Sequence, residues 1–295
     1  MTELIKNILA KGKSLLVGIA ALIVLSVFRV FVLLNGIDYS TGLFDRDGNI
    51  YNIIYYILLG VCAAVIALAA AKDIKSREDG FAAAINGRGM TVIGIVLIAT
   101  GSLQAIEVMN EFTTGLNIFS AFIILGCVTH IVGGVLLASS KKTAPAHSVI
   151  AIAVIIAQLG QMIEFYMSNF LISKNPQKLM MMLFMLTSTF FWIYFGRILS
   201  GSKKFFPALM CTAGGLFSSA LSLAYLISSF ALLGIDAEKW IKLSYIPGLT
   251  LIPVMLIPGV VAAVVLLSGK AKTPAVKMQE ETTQPESAKE EETAQ

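Results

Sequence analysis

Charge is scarce in this chain. Only 14% of its 295 residues are Asp, Glu, Lys or Arg, against about a quarter in soluble domains. So few charges exclude an ordinary water-covered surface. Cysteine is scarcer still: Cys62, Cys127 and Cys211 all lie in apolar stretches, which leaves the polar segments without thiols and excludes a disulfide framework or a CxxC metal site. The two histidines, His130 and His147, do not make a haem or metal site, and a packed or capping role is expected of each. There is no Walker phosphate loop, HExxH zinc motif or GxSxG elbow. Ile85–Met90, INGRGM, lacks the strand–glycine–helix setting of a nucleotide site. No persuasive catalytic set is present, so a non-enzymatic protein without cofactors is expected. Its positive loops suit lipid phosphates better than nucleic acid.

What the chain has in quantity is apolar surface, 57% of its residues. A helix needs about 20 apolar residues to cross the hydrocarbon core. Eight runs qualify, at roughly 14–34, 50–71, 91–109, 116–138, 147–172, 178–199, 205–234 and 243–268. They far exceed the roughly ten alternating residues of a barrel strand. The expected fold is all-α: a polytopic membrane helix bundle of about eight spans over 14–268, after a cytoplasmic N-terminus, 1–13. The first run is too long for a cleavable signal and no small-x-small site follows it, so it is expected to stay as an anchor.

Lysine and arginine resist translocation and report sidedness. One set of alternate loops carries Lys6, Lys11, Lys13, Lys72, Lys75, Arg77, Arg88, Lys141, Lys142, Arg197, Lys203, Lys204, Lys270, Lys272 and Lys277; the other carries only Arg46, Lys174, Lys178, Lys239 and Lys242. Both termini are therefore expected in the cytoplasm. After Lys277 the chain turns to MQEETTQPESAKEEETAQ, six Glu with no aromatic residue. This composition cannot offset its chain entropy by burial, and 269–295 is expected to be a disordered acidic tail. It is read as solubilising, with an interaction segment as the alternative.

LASSKKTAPA (Leu137–Ala146) and LSGSKKFFPA (Leu199–Ala208) align without a gap, and LSGKAKTPA (Leu267–Ala275) follows one residue shorter. Each lies where an even span ends: small residues release the helix, lysines meet phosphates and the C-terminal dipole, and proline prevents continuation. Convergent helix stops would look the same. The odd spans carry polar residues at helical spacing: Ser26 and Arg29; Thr100, Gln104, Glu107 and Glu111; Gln161, Glu164 and Ser168; Ser218, Ser222, Tyr225 and Ser229. The chain thus reads as four parallel two-helix units, an arrangement known among transport proteins but not diagnostic of them.

An ion at the membrane centre costs about 2.5–3.5 kcal/mol, so such residues face the bundle, paired or wetted. Arg29, Glu107 and Glu164 share the outer portion of their spans. The expectation is an outward-opening polar centre in which Arg29 faces Glu107, Glu164 or both, lined also by Gln104, Gln161, Ser222 and Tyr225. Snorkelling of Arg29 and Glu107 to separate headgroups is the competing expectation, and even a real centre could be purely structural. In the last span, Pro253 and Pro258 are expected to kink or break the helix, forming a hinge or a tolerated kink, while Pro247 starts it.

DRDGN (Asp45–Asn49) lacks the glycine and bidentate glutamate positions of an EF-hand and reads as a turn. Met180–Met185 suits lipid-facing or flexible packing. Tyr51, Tyr55 and Tyr56 outside, and Trp192 and Tyr194 inside, suit aromatic belts. IDYSTGLF (Ile37–Phe44) resembles a D-x-x-TG-x-F loop carried after the first span by uncharacterised bacterial multi-pass proteins; the resemblance implies a bacterial cytoplasmic membrane and brings no activity. The expected function is binding or transport of a small polar solute or ion, with Arg29, Glu107, Glu164 and Gln161 foremost. An accessory or scaffold protein with a structural polar centre is the alternative. The bilayer is the one certain partner.

Overall fold

The structure, a computed structural model, describes residues 12–38, 45, 49–76, 87–140, 142–167, 179–243 and 251–268. The N-terminal segment, most of the IDYSTGLF and DRDGN loop, Ser168, Pro247 and the acidic tail lie outside the described residues. Apart from one bridge residue at Ile37, the regular elements among them are all helices: α1 (Lys13–Asn35), α2 (Asn49–Lys75), α3 (Arg88–Thr114), α4 (Ser120–Ser139), α5 (Ser148–Phe165, entered by a 3-10 turn at Pro145–His147), α6 (Leu179–Leu199), α7 (Phe205–Ile235), α8 (Ala237–Leu243) and α9 (Leu251–Ser268).

Among the described residues, seven helices are long and apolar enough to span a membrane, α1 to α7. The last of the eight expected runs forms α9, 18 residues, about 27 Å at 1.5 Å per residue, the low end of what a bilayer requires. Apolar residues cover the outside as well as the inside. On α1, Ile19, Ile23, Val27 and Phe31 recur every fourth residue and are 47%, 59%, 67% and 43% exposed, while Gly18, Ala21, Leu25 and Arg29 on the opposite face are buried. A helix that is apolar all round belongs in lipid.

Helices α3 to α6 pack in sequence, each on the next, and α9 inserts between α3 and α6. The long α7 is the hub, packing on α6, α9, α1, α2 and α8. The backbones of α3 and α4 approach closely. A Cβ on Gly94 would lie 2.5 Å from the Gly134 carbonyl oxygen, and one on Gly134 would lie 2.6 Å from that of Gly94. Only glycine fits there, as in other close membrane crossings.

Helix α1 is fastened at both ends. At its first turn the Ser14 N–H and Oγ donate to Asp73 Oδ2 at 2.7 and 2.6 Å, with both residues buried. At its last turn Lys239 Nζ donates to the Leu34 carbonyl at 3.1 Å and is held 3.9 Å from Asp236. An anion thus meets the positive end of the helix dipole and a cation the negative end.

Three expectations change. Pro253 and Pro258 do not break the last helix. Pro253 sits in the first turn of α9, where an amide donor has no partner in the helix, and α9 runs on through Pro258. Pro145 and Pro207 are in the first turns of the helices that follow them, so they start helices as well as stopping them. Tyr55 and Trp192 are not belt residues: they are 0% and 1% exposed, Tyr55 stacked on Phe28 and Trp192 among Phe191, Phe195 and His130.

Candidate functional site

The residues expected around one centre occupy three places. Arg29 is on the inward face of α1, 1% exposed, with its guanidinium 5.5 Å from the centroid of the Tyr55 ring. The aromatic face attracts the cation, and the surroundings are the α1–α2–α7 side of the bundle, with Leu25, Val32 and Tyr225 in the same core. Arg29 does not snorkel.

Ser222 is on α7 and is engaged with the neighbouring α9 backbone. Its Oγ lies 3.1 Å from the Ser219 carbonyl and 3.4 Å from that of Met255. Ser219 does more. The Gly259 N–H donates to Ser219 Oγ at 2.8 Å, and Ser219 Oγ donates to the Met255 carbonyl at 3.0 Å. The hydroxyl therefore spans one rung of α9 beside Pro258, the residue that cannot supply a donor. Serine from an adjacent helix is a known way to satisfy backbone at a membrane proline.

The third group is acidic. Glu107 and Glu111 lie near enough to Glu164 for their carboxylates to act on it, and Arg29 lies near enough to Tyr55 and Tyr56 to act on them. Glu107 and Glu111 are one turn apart near the end of α3, and Glu164 is in the last turn of α5. All three are half-buried, as is Gln161. Ser120, at the start of α4, donates to Glu111 and ties the α3–α4 turn to this end. The turn itself is held by Asn117, whose Oδ1 accepts from the N–H groups of Phe119 and Ser120 at 2.7 and 3.0 Å.

One turn deeper on α3, Gln104 is buried and its Oε1 lies 2.7 Å from His130 Nδ1 on α4. On α5 and α6, Gln158 Nε2 donates to Ser188 Oγ at 3.1 Å, both buried. The polar part of the bundle is thus a wedge, with carboxylates at one end and uncharged amides, a hydroxyl and an imidazole within. Its deeper end meets an apolar core of Trp192, Phe191, Phe195, Val154 and Leu97. Toward that end of the bundle the His147 side chain closes the 3-10 turn before α5, accepting at Nδ1 from the Ala144 N–H at 3.2 Å, with Ser140 Oγ at 3.1 Å from Nε2.

Sequence reasoning reached Gln104, Glu107, Gln161 and Glu164 but missed Gln158, Ser188 and the pairing of His130. A signal existed. His130 is in phase with Ile123, Cys127, Gly134 and Leu137, all buried, so the heptad-like spacing puts the imidazole on the inward face. Gln158 precedes Gln161 and Glu164 at steps of three.

Lipid-facing apolar helices around a buried polar wedge define an integral multi-pass membrane protein. Comparison with protein-family models, with curated proteins and with solved structures finds no match for this chain.

Proposed function

We propose that the protein binds a small cation at the Glu107–Glu111–Glu164 end of α3 and α5 and passes it inward along the wedge, without a catalytic step. The observation that supports this is the gathering of three carboxylates one turn above a buried Gln104–His130 pair. Like charges held together in a low-dielectric surrounding attract and concentrate cations, and buried ionisable groups in membrane helices mark ion and proton pathways. In this reading the lysine-rich end is cytoplasmic, so the acidic end opens to the outside of a bacterial cytoplasmic membrane.

The test is flux in proteoliposomes with a pH-sensitive dye, under imposed gradients of sodium, potassium and ammonium. Glu164→Gln is expected to abolish cation-linked proton movement while expression and thermal stability are retained. Unchanged kinetics in that variant would remove the role.

A second reading, a scaffold with structural polar groups, has support in the use of Arg29 on Tyr55 and of Ser219 on the α9 backbone. Under it, Arg29→Leu lowers thermal stability and no cation gradient drives flux.

A further inference from the structure

One lipid-facing groove of the bundle ends in a positive charge. It runs between α5 and α6, and its floor is Ala151 and Trp192, each 1% exposed, with Gly196. The two helices touch there: a Cβ on Gly196 would lie 2.8 Å from that of Ala151. Ile152 and Ile193, 54% and 38% exposed, line the groove toward the lipid. At one end the lining turns polar, with Ser148 in the first turn of α5, Arg197 in the last turn of α6 and Ser200 just after it. The groove measures about 250 Å³, below the roughly 300–1,000 Å³ of a site that encloses a whole small molecule and enough for part of a chain.

The polar end suits an anion. The Arg197 guanidinium lies 5.7 Å from the centroid of the Tyr194 ring, which braces the cation without using its N–H groups. Arg197 is exposed, and among the described residues no carboxylate pairs with it. Ser148 Oγ donates to the Pro145 carbonyl at 2.6 Å and Ser200 Oγ to that of Gly196 at 2.8 Å, so Arg197 is the side-chain donor left at this end. The turns beside it, 139–148 and 197–208, contain Lys141, Lys142, Lys203 and Lys204 and no Asp or Glu. They adjoin each other, since a Cβ on Gly201 would lie 3.8 Å from Thr143 Oγ1. A basic recess between membrane helices is a setting in which anionic headgroups bind. Two other grooves, of about 360 Å³ between α4 and α5 and about 220 Å³ among α1, α7 and α9, are lined by no charged residue.

We propose that the α5–α6 groove binds an anionic glycerophospholipid, its phosphate on Arg197 and the upper part of one acyl chain laid along Ile152, Ile155 and Ile193 over Trp192. The lining calls for both parts of that molecule. A water-soluble phosphate gains nothing from an apolar trough, and a zwitterionic headgroup brings a cation of its own beside Arg197, which repels it. The site is separate from the acidic end of the bundle. Glu164 is about 24 Å from Ser148 along α5, at 1.5 Å per residue, so lipid binding here does not depend on cation binding there.

The chain has two tryptophans, so Trp240→Phe leaves Trp192, on the floor of the groove, as the sole indole. The full chain with that substitution is placed in phosphatidylcholine vesicles containing a rising fraction of lipid brominated on the upper acyl chain, and quenching of Trp192 fluorescence is read. Brominated phosphatidylglycerol is expected to quench at about fivefold lower fraction than brominated phosphatidylcholine, the attraction that one basic residue adds for an anionic lipid. Arg197→Gln should bring the two lipids to equality, and Arg197→Lys, which keeps the charge, should retain most of the preference. Glycerol phosphate in solution should not relieve the quenching. Equal quenching by the two lipids before Arg197 is changed would overturn the proposal. So would an equal loss of preference in Lys142→Gln, which would show attraction to the charged end at large, or relief by glycerol phosphate, which would show a site for free phosphate. Absence of quenching by either lipid would show that a second copy or another helix covers the groove, and would overturn it as well. Glu164→Gln should leave the lipid preference unchanged, so loss of cation flux and loss of the lipid site are read separately.

Discussion

Replacing Asp73 by alanine should release the first turn of α1 from α2. The carboxylate accepts two bonds at one oxygen, from the Ser14 amide at 2.7 Å and hydroxyl at 2.6 Å. Hydrogen bonds to an ionised partner contribute about 1.5–3 kcal/mol each, and a carboxylate at a helix N-terminus adds about 0.3–1 kcal/mol through the dipole. The site lies at a helix end, where water can replace part of what is lost, so the lower end applies. The expected loss is about 2–3 kcal/mol for Asp73→Ala. Ser14→Ala removes only the hydroxyl donor and should cost about 1 kcal/mol. Asp73→Asn keeps an acceptor and loses the charge, and should fall between them. Unfolding in mixed micelles, followed by circular dichroism across a denaturing-detergent titration, gives the differences. The double variant should show coupling of about 1 kcal/mol, because the two substitutions remove a shared bond. A change below about 0.5 kcal/mol in Asp73→Ala, or strict additivity with Ser14→Ala, would refute the clamp.

Two further outcomes test the joint between α7 and α9. A Cβ on Gly215 would lie 2.4 Å from the Pro258 carbonyl oxygen, whereas one on the adjacent Gly214 would approach nothing nearer than 3.9 Å. Gly215→Ala should therefore destabilise by about 1–3 kcal/mol through displaced backbone, and Gly214→Ala should be neutral or stabilising by a few tenths of a kcal/mol; equal effects in a thermal-stability assay would show that the two helices do not touch there. Ser219→Ala removes the hydroxyl between the Gly259 N–H and the Met255 carbonyl and should cost about 1 kcal/mol, in the range of interhelical bonds in membranes. Adding Pro258→Ala should reduce that penalty, because without the proline ring the Gly259 N–H and the Met255 carbonyl can close their own helical bond, and an undiminished penalty would detach the serine from the proline.

Much of this architecture is legible without coordinates, because the bilayer imposes it. A chain with this little charge and this much apolar residue has no soluble solution, and the length of a span follows from the thickness of hydrocarbon. The positions of α1 to α7 could be read from the runs, with ends displaced by a few residues. The inward orientation of Gln104, Glu107, Gln161 and Glu164 could be read from spacing alone, since a helix turns a step of three or four into a shared face. What spacing cannot give is the neighbour of that face. Arg29 and Glu164 are read from the sequence at a similar depth and with the same need for company, yet Arg29 meets Tyr55 from α2 while Glu164 has Glu107 and Glu111 nearby. Which helices adjoin is decided by the small residues that permit contact, such as Gly94 on Gly134 and Gly215 on Pro258, and such pairs are not visible in one chain read in order.

The amino-acid order by itself therefore determined the class of the protein, the helical form of its apolar runs and the face each polar residue occupies, because those depend on local period and on the solvent alone. Only the tertiary structure decided that Tyr55 and Trp192 are core, that Ser219 spans the rung beside Pro258, and that His130 pairs with Gln104 and Gln158 with Ser188. Each of these depends on residues dozens of positions apart brought within a few ångströms, and their contact energies arise only after the helices have packed.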